Sequence, residues 1–257
     1  MILRPSHEMR ETPATRGYTF DAVTLDVGVG RRIVVWHVHA EDPKALVLVV
    51  PGSDANKSRY AEGLPVFIPH GYDVVLMDYE GFGDSPGTPT LAHLVDDVFA
   101  AARFAQTRHE HVVLFGASIG TPLVARVAAE LALAGCIFEG TLILRDEVEL
   151  WLRSNHVHLP HLWHVANMFI HPQTPDDYDV MTYIAGVDEP KLFLHSIEDE
   201  VTPYAGVQRI LEVAPEPKTL WTMRGRHGRM IRIETDAYIK TVVDWLDAHV
   251  VAGDKAK

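Results

Sequence analysis

The residues Gly116-Ala-Ser118-Ile-Gly120 close the apolar run 112–115 and open a segment rich in alanine, valine and leucine. A serine on a tight strand-to-helix turn has its hydroxyl presented at the end of a sheet, where a neighbouring base can turn it into a nucleophile. Such a turn forces the serine into a strained backbone conformation. The positions two residues before and after it must then lack a Cβ, because strand and helix nearly collide there. Gly116 and Gly120 meet that demand, and Pro122 falls in the first helical turn, where a missing N–H costs little. The chemistry expected is attack on a carbonyl carbon.

A serine nucleophile of this layout needs an acid and then a histidine downstream, in that order. The apolar run 190–195 reads as a buried strand. It is followed by the polar loop Ser196-Ile-Glu-Asp-Glu-Val-Thr-Pro203, with Asp199 at its centre and Glu198 beside it. A further carboxylate, Glu139, ends the run 136–138. The next strand, around 219–221, leads to Arg224-Gly-Arg-His227-Gly228. A histidine between glycines just past a strand end has the exposed setting a proton-shuttling imidazole needs. The only later histidine, His249, lies far along a terminal amphipathic stretch, so His227 is the candidate base.

With these residues in order, the chain resembles an α/β-hydrolase of the Bem46-like, serine-aminopeptidase-like branch. The resemblance covers roughly residues 20–250 and rests on four ordered motifs. Besides the elbow, they are Asp78-Tyr-Glu-Gly-Phe-Gly-Asp-Ser-Pro-Gly-Thr-Pro89, the oxyanion loop Pro51-Gly52-Ser53-Asp54-Ala55-Asn56, and the acid loop running from His195 through Asp199 to Pro203. The resemblance implies a catalytic triad of Ser118, Asp199 and His227, with Asp199 preferred over Glu198 and Glu139. It also implies an oxyanion hole from the backbone N–H groups of Ile119 and Ser53, with Asp54 the rival of Ser53. Three positions depart from the branch pattern: Pro51 stands for its histidine, Glu80 for its arginine, and Thr121 for a second glycine after the elbow.

The elements that must carry these groups can be read coarsely. Residues 19–27 and 32–39 alternate apolar and polar, like antiparallel strands at a sheet edge. Runs at 45–50, 73–77, 112–115, 136–138, 192–195 and 219–221 read as buried parallel strands. A helix is expected after Thr90 as N-cap, and a last one over about 235–250. The expected fold is therefore α/β, a mostly parallel eight-stranded sheet flanked by helices, in one domain over 1–257.

Composition fits an enzyme of that kind. The chain has 257 residues, 47% of them hydrophobic, and a formal net charge of −12, which disfavours nucleic acid. The sequence has no run of 18 apolar residues, so integral membrane association is not expected. The first ten residues do not read as a signal peptide, and a cytoplasmic location is expected. The single cysteine, Cys136, reads as a buried structural thiol.

Residues 145–186 break the strand–helix rhythm and read as a small cap between the sixth and seventh strands. Trp151, Leu159, Trp163, Met168 and Phe169 are its candidate substrate-pocket residues. The same stretch holds His156, His158, His161, His164 and His171, but no carboxylate stands between them, and no metal is expected. His37 and His39 share one strand face, and they too are read as ordinary histidines. Arg224, Arg226, Arg229 and Arg232 surround His227 and are read as partners of surface carboxylates. The function expected is hydrolysis of a small-molecule carboxylic ester through an acyl-enzyme on Ser118, without cofactor, by a monomer or homodimer. Amide, peptide or thioester cleavage would use the same triad, and a non-catalytic ligand-binding member of the fold is the alternative of a different class.

Overall fold

The computed structural model describes residues 3–144, 178–228 and 235–251. Its centre is an eight-stranded sheet: β1 Phe20–Gly28, β2 Arg31–Val38, β3 Ala45–Val50, β4 Tyr72–Met77, β5 Val112–Ala117, β6 Gly135–Glu139, β7 Lys191–Ser196 and β8 Lys218–Met223. The spatial order is β1-β2-β4-β3-β5-β6-β7-β8. β1 and β2 are antiparallel to their neighbours, and β3 to β8 run parallel.

Every residue of β3, β4 and β7 is buried, as continuous apolar strands covered on both faces must be. β1 is the edge strand and alternates, with Val23, Leu25 and Val27 inward. β2 does not alternate as its sequence suggests. It packs into the core on both faces, burying Ile33 and Val35 on one and Trp36 and Val38 on the other.

The described helices are α1 Lys57–Tyr60, α2 Leu64–Phe67, α3 Leu91–Gln106, α4 Gly120–Ala128, α5 Val180–Ile184, α6 Tyr204–Val213 and α7 Thr235–Leu246. They form two layers. One sheet face packs on Leu94 and Val98 of α3, Leu123 and Val127 of α4, Val180 and Ile184 of α5, and Val207 and Ile210 of α6. The other packs on Leu64 and Phe67 of α2 and on Tyr238, Val242 and Trp245 of α7. Thr90 is extended at the N-cap of α3 as expected, but its hydroxyl makes no capping bond. Cys136 is buried, and burial pushes its thiol far above the ordinary range. No helix among the described residues is long and apolar enough to cross a membrane.

Of the expected cap, residues 145–177 lie outside the described residues, and with them all five candidate pocket residues. Its last part belongs to the core: Tyr178, Val180 and Ile184 are buried, and the Tyr178 hydroxyl donates to the Leu91 carbonyl at the start of α3 (2.6 Å).

The loops after β3 and β4 are locked together by a buried ion pair. Lys57 Nζ donates to Asp78 Oδ2 (2.5 Å), and the Lys57 backbone N–H donates to Asp78 Oδ1 (2.6 Å). Both side chains are fully buried, and Asp84 caps the same ammonium group. The ammonium group also lies over the Trp36 ring. Removing one member of such a pair strands the other charge in a dry site, whereas replacing both by apolar groups does not. Lys57→Met is therefore expected to lower the unfolding free energy by about 3–5 kcal/mol. Lys57→Met combined with Asp78→Leu should recover part of that loss, and urea denaturation of the three proteins checks both statements.

Candidate active site

Ser118 lies between β5 and α4 with φ at +52°, in the left-handed region that non-glycine residues rarely occupy. The glycines around it are sterically required. A Cβ on Gly116 would lie 2.8 Å from the Gly120 carbonyl oxygen, and one on Gly120 would run into the Val50 carbonyl oxygen at the end of β3. The same closeness brings the loop after β3 to the serine, since a Cβ on Gly52 would lie 3.6 Å from Ser118 Cβ.

Thr121, where the resembling branch has glycine, is used. Its hydroxyl donates to the Ser118 carbonyl (2.6 Å) and accepts the Leu142 N–H (3.0 Å), tying the elbow to the chain beyond β6.

The histidine and the acid come from β8 and β7. His227 Nδ1 donates to Asp199 Oδ2 at 2.8 Å, and the Thr202 hydroxyl lies 3.3 Å from the same nitrogen. Asp199 Oδ1 accepts the N–H groups of Val201 (2.9 Å) and Thr202 (2.7 Å). Burial would raise the Asp199 carboxyl. The His227 hydrogen bond and charge, together with those two N–H groups, outweigh it and hold the group below the ordinary carboxylate range.

The acid loop is itself braced. His195 Nε2 donates to the Thr202 carbonyl (2.8 Å), its buried Nδ1 has no partner among the described residues, and burial lowers its pKa, so the ring stays neutral. The Ser196 hydroxyl donates to the Gly225 carbonyl, joining the acid loop to the segment that carries His227.

The imidazole and the elbow meet at the end of β6. The Ser118 N–H donates to the Glu139 carbonyl (2.9 Å). The next residue, Gly140, has φ at +59°, and a Cβ there would stand 2.9 Å from His227 Cε1 and 3.7 Å from Asp199 Oδ2. Ser118, His227 and Asp199 thus converge on one short stretch of backbone at the C-terminal ends of β5, β6, β7 and β8, where open parallel sheets bind their ligands.

The rival acids are engaged elsewhere. Glu139 accepts the Tyr238 hydroxyl (2.8 Å). Burial holds its carboxyl above the usual range against that bond and the His227 charge, with the Asp199 charge adding to the rise. Glu198 accepts the Gly225 N–H (3.0 Å) and pairs with Arg224, while Arg226 pairs with Glu200. Arg229 and Arg232 lie outside the described residues.

The two N–H groups expected to form an oxyanion hole come from Ile119, at the N-terminal end of α4, and Ser53, after β3. Neither donates to another group among the described residues. The helix end adds its partial positive charge at Ile119.

Several residues that hold this loop escape sequence reading. The Gly52 N–H donates to the Tyr60 hydroxyl (2.8 Å), and the Tyr79 hydroxyl donates to the Pro51 carbonyl (2.7 Å). The N-terminal segment straps it from outside, through Arg4 N–H to the Ser53 carbonyl (2.8 Å) and Asn56 Nδ2 to the carbonyls of Ser6 and Glu8. Nothing local in the sequence marks these partners. Glu80, in place of the branch's arginine, is met by a guanidinium from another strand: Arg31 Nε of β2 donates to it at 2.8 Å.

Comparison with known proteins agrees with this fold. The family model of serine aminopeptidases (S33) matches residues 41–175, just over half of the chain. The chain belongs to the S33 serine aminopeptidase family of α/β hydrolases. Within the family's wider relatives, it is 27% identical over 250 residues to the protein YfhR of Salmonella typhimurium, covering 89% of this chain and 83% of that one.

Among solved structures, the esterase Pf2001 of Pyrococcus furiosus superposes with a TM-score of 0.78 at 16% identity, covering 97% of this chain and 99% of that one. An esterase of Exiguobacterium antarcticum gives 0.65 at 16% identity, covering 87% and 98%. At such identities the likeness shows the fold.

The depressed Asp199 pKa has a stability consequence with a definite sign. A carboxyl whose folded pKa lies below its unfolded value of ~3.9 stabilises the fold above that value and loses the contribution as pH falls through the folded one. The stability advantage of wild type over Asp199→Asn is expected to be full at neutral pH and to vanish in strong acid. Unfolding free energies of the two proteins across the acid range measure it.

Proposed function

We propose that the protein is a serine carboxylesterase that cleaves small-molecule esters through an acyl-enzyme on Ser118. One observation carries the reading. An imidazole oriented by a buried, ionised Asp199 stands against Gly140, whose preceding carbonyl holds the N–H of a serine strained at φ +52°.

In this reading His227 takes the Ser118 proton as the hydroxyl oxygen bonds to the ester carbonyl carbon. The N–H groups of Ile119 and Ser53 stabilise the resulting oxyanion. The imidazolium then protonates the departing alcohol, and water, activated by the same imidazole, releases the acid and restores the serine. Asp199 keeps the imidazole proton on Nδ1, so Nε2 carries the lone pair that accepts the serine proton. No metal or cofactor enters the scheme.

The names of the structural neighbours in Pyrococcus and Exiguobacterium support the ester substrate. The family's own name favours amide or peptide bonds as the second reading. A panel of nitrophenyl esters, aminoacyl nitroanilides and acyl thioesters separates these, with esters expected to give the highest kcat/KM.

Ser118→Ala is expected to reduce ester hydrolysis by at least about 10³-fold with the melting temperature nearly unchanged, and to abolish labelling by a fluorophosphonate probe. A wild-type protein that fails to react with the probe is instead a ligand-binding member of the fold.

The proposal includes an acyl pocket from Trp151, Leu159, Trp163, Met168 and Phe169, in the part of the chain outside the described residues. A single methylene in a hydrophobic pocket is worth about 1–3 kcal/mol, so losing an indole should move selectivity by tenfold or more. Trp151→Ala or Trp163→Ala should change the kcat/KM ratio between short-chain and long-chain esters accordingly. An unchanged ratio with a lowered melting temperature assigns those residues to the scaffold.

A further inference from the structure

A second cluster of chemically capable side chains stands at the opposite end of the sheet from Ser118. His37 and His39 lie two residues apart at the end of β2, and the antiparallel registers bring a carboxylate to each side of them. Asp21 of β1 is directly opposite His37. On the other side the pairing of Val38 with Val74 sets His39 opposite Asp73 of β4. Directly opposed residues share a sheet face, and so do residues two apart. All four side chains therefore lie on one face, the one covered by α3, where Phe104 packs edge-on against His37.

Their hydrogen bonds run diagonally. His37 Nε2 donates to Asp73 Oδ2 (2.9 Å), and His39 Nε2 donates to Asp21 Oδ2 (3.0 Å). The Ala40 N–H fixes the other Asp73 oxygen (2.8 Å). His37 thus faces Asp73 through Nε2, whereas a neutral His39 imidazole that donates from Nε2 to Asp21 carries its lone pair on Nδ1. The two rings sit 4.4 Å apart, and one nitrogen of each histidine and one Asp73 oxygen all lie within 4.8 Å of one another.

We propose that His37, His39 and Asp73 form a binding site for a divalent transition-metal ion, zinc in the first place, which clips the edge of the sheet to β4. Two imidazoles and a carboxylate are the donor set that borderline cations such as zinc take. A tetrahedral zinc ion with bonds of about 2.0–2.1 Å needs ligand atoms about 3.3–3.4 Å apart, so the ion would take the place of the proton between His37 Nε2 and Asp73 Oδ2, with His39 Nδ1 completing the set. Asp21 supplies the supporting shell. A carboxylate on the far nitrogen of a ligating histidine fixes its ring and raises its basicity. His37 and Asp73 are buried, while His39 is half-buried and Asp21 exposed, which gives the ion a rigid floor and an entry path.

The site is structural. Asp73 is the second residue of β4, a strand of six residues that spans roughly 17–20 Å, whereas the proposed catalytic residues follow the far ends of the parallel strands. Metal binding here joins β1, β2 and β4, so its free energy adds to folding stability.

The test uses the metal-stripped full chain, titrated with zinc by calorimetry, with bound metal counted by elemental analysis and melting followed in parallel. The wild type is expected to bind zinc with a Kd in the micromolar range or tighter and to melt at higher temperature with zinc than without. His39→Ala should lose one equivalent of zinc and the thermal gain, while keeping the metal-free melting transition of a folded protein. Asp21→Asn, at an exposed position, should weaken binding about 10–100-fold and serves as the second variant if His39→Ala fails to fold. Equal zinc stoichiometry and equal thermal gain in wild type and both variants would place the metal elsewhere, the histidines between 156 and 171 included, and overturn the proposal. A wild type that takes up no zinc overturns it as well.

Discussion

The close approach of the first turn of α4 to the ends of β3 and β5 is the constraint on which the rest of the site depends. Gly116 and Gly120 have no room for a side chain: the former faces the Gly120 carbonyl and the latter the Val50 carbonyl. That contact throws Ser118 into the left-handed region and leaves the Ile119 N–H, at a helix N-terminus, without an acceptor among the described residues. It also sets the loop after β3 beside the serine, because Pro51 follows directly on the strand the helix presses against. The proposed nucleophile and both proposed oxyanion donors thus sit around a single packing contact between backbones.

Everything else in the site is carried on loops beyond strand ends, and those loops are held by side chains that bond to backbone. Tyr60 and Tyr79 hold Gly52 and Pro51, the Lys57–Asp78 pair holds the start of α1, and the N-terminal segment straps the outside. On the other side His195 and Ser196 brace the acid loop and its junction with the chain that bears His227. Groups placed this way need little rearrangement when charge develops in a reaction, which is the main source of catalytic stabilisation in sites of this kind. The two carboxylates near the imidazole also differ in environment. Asp199 has two N–H donors and the imidazole and stays ionised, whereas Glu139, with one hydroxyl donor and more desolvation than compensation, is pushed towards its neutral form.

Much of this was legible in the sequence wherever the physics is local. The strand-to-helix turn around Ser118 could be read because its glycines are demanded by a clash within five residues. The buried parallel strands could be read because full burial on two faces requires unbroken apolar runs such as Ala45–Val50. The order of acid and histidine after the elbow marked Asp199 and His227, although the preference for Asp199 over Glu139 came from the resemblance and not from the residues themselves. The alternation read across β2 did not hold, because alternation describes a half-exposed strand and β2 packs into the core on both sheet faces, Ile33 and Val35 on one and Trp36 and Val38 on the other.

What the sequence by itself determined is the set of elements and the chemistry of their ends: a mostly parallel sheet, a serine on an elbow, and an acid and a base on later loops. Only the tertiary structure decided which groups meet across large separations. It gave Glu139 to Tyr238, 99 residues away, and left Asp199 to the imidazole. It supplied Arg31 to Glu80 and a hydroxyl bridge from Thr121, so that two departures from the expected pattern became working contacts. It set Asp73 and Asp21 beside a pair of histidines that by themselves looked ordinary. The reason is the same in each case. Backbone periodicity and steric demand act over a few residues and leave a trace in the local pattern, whereas strand order and register are settled by packing of the whole sheet, and no short stretch of the chain encodes them alone.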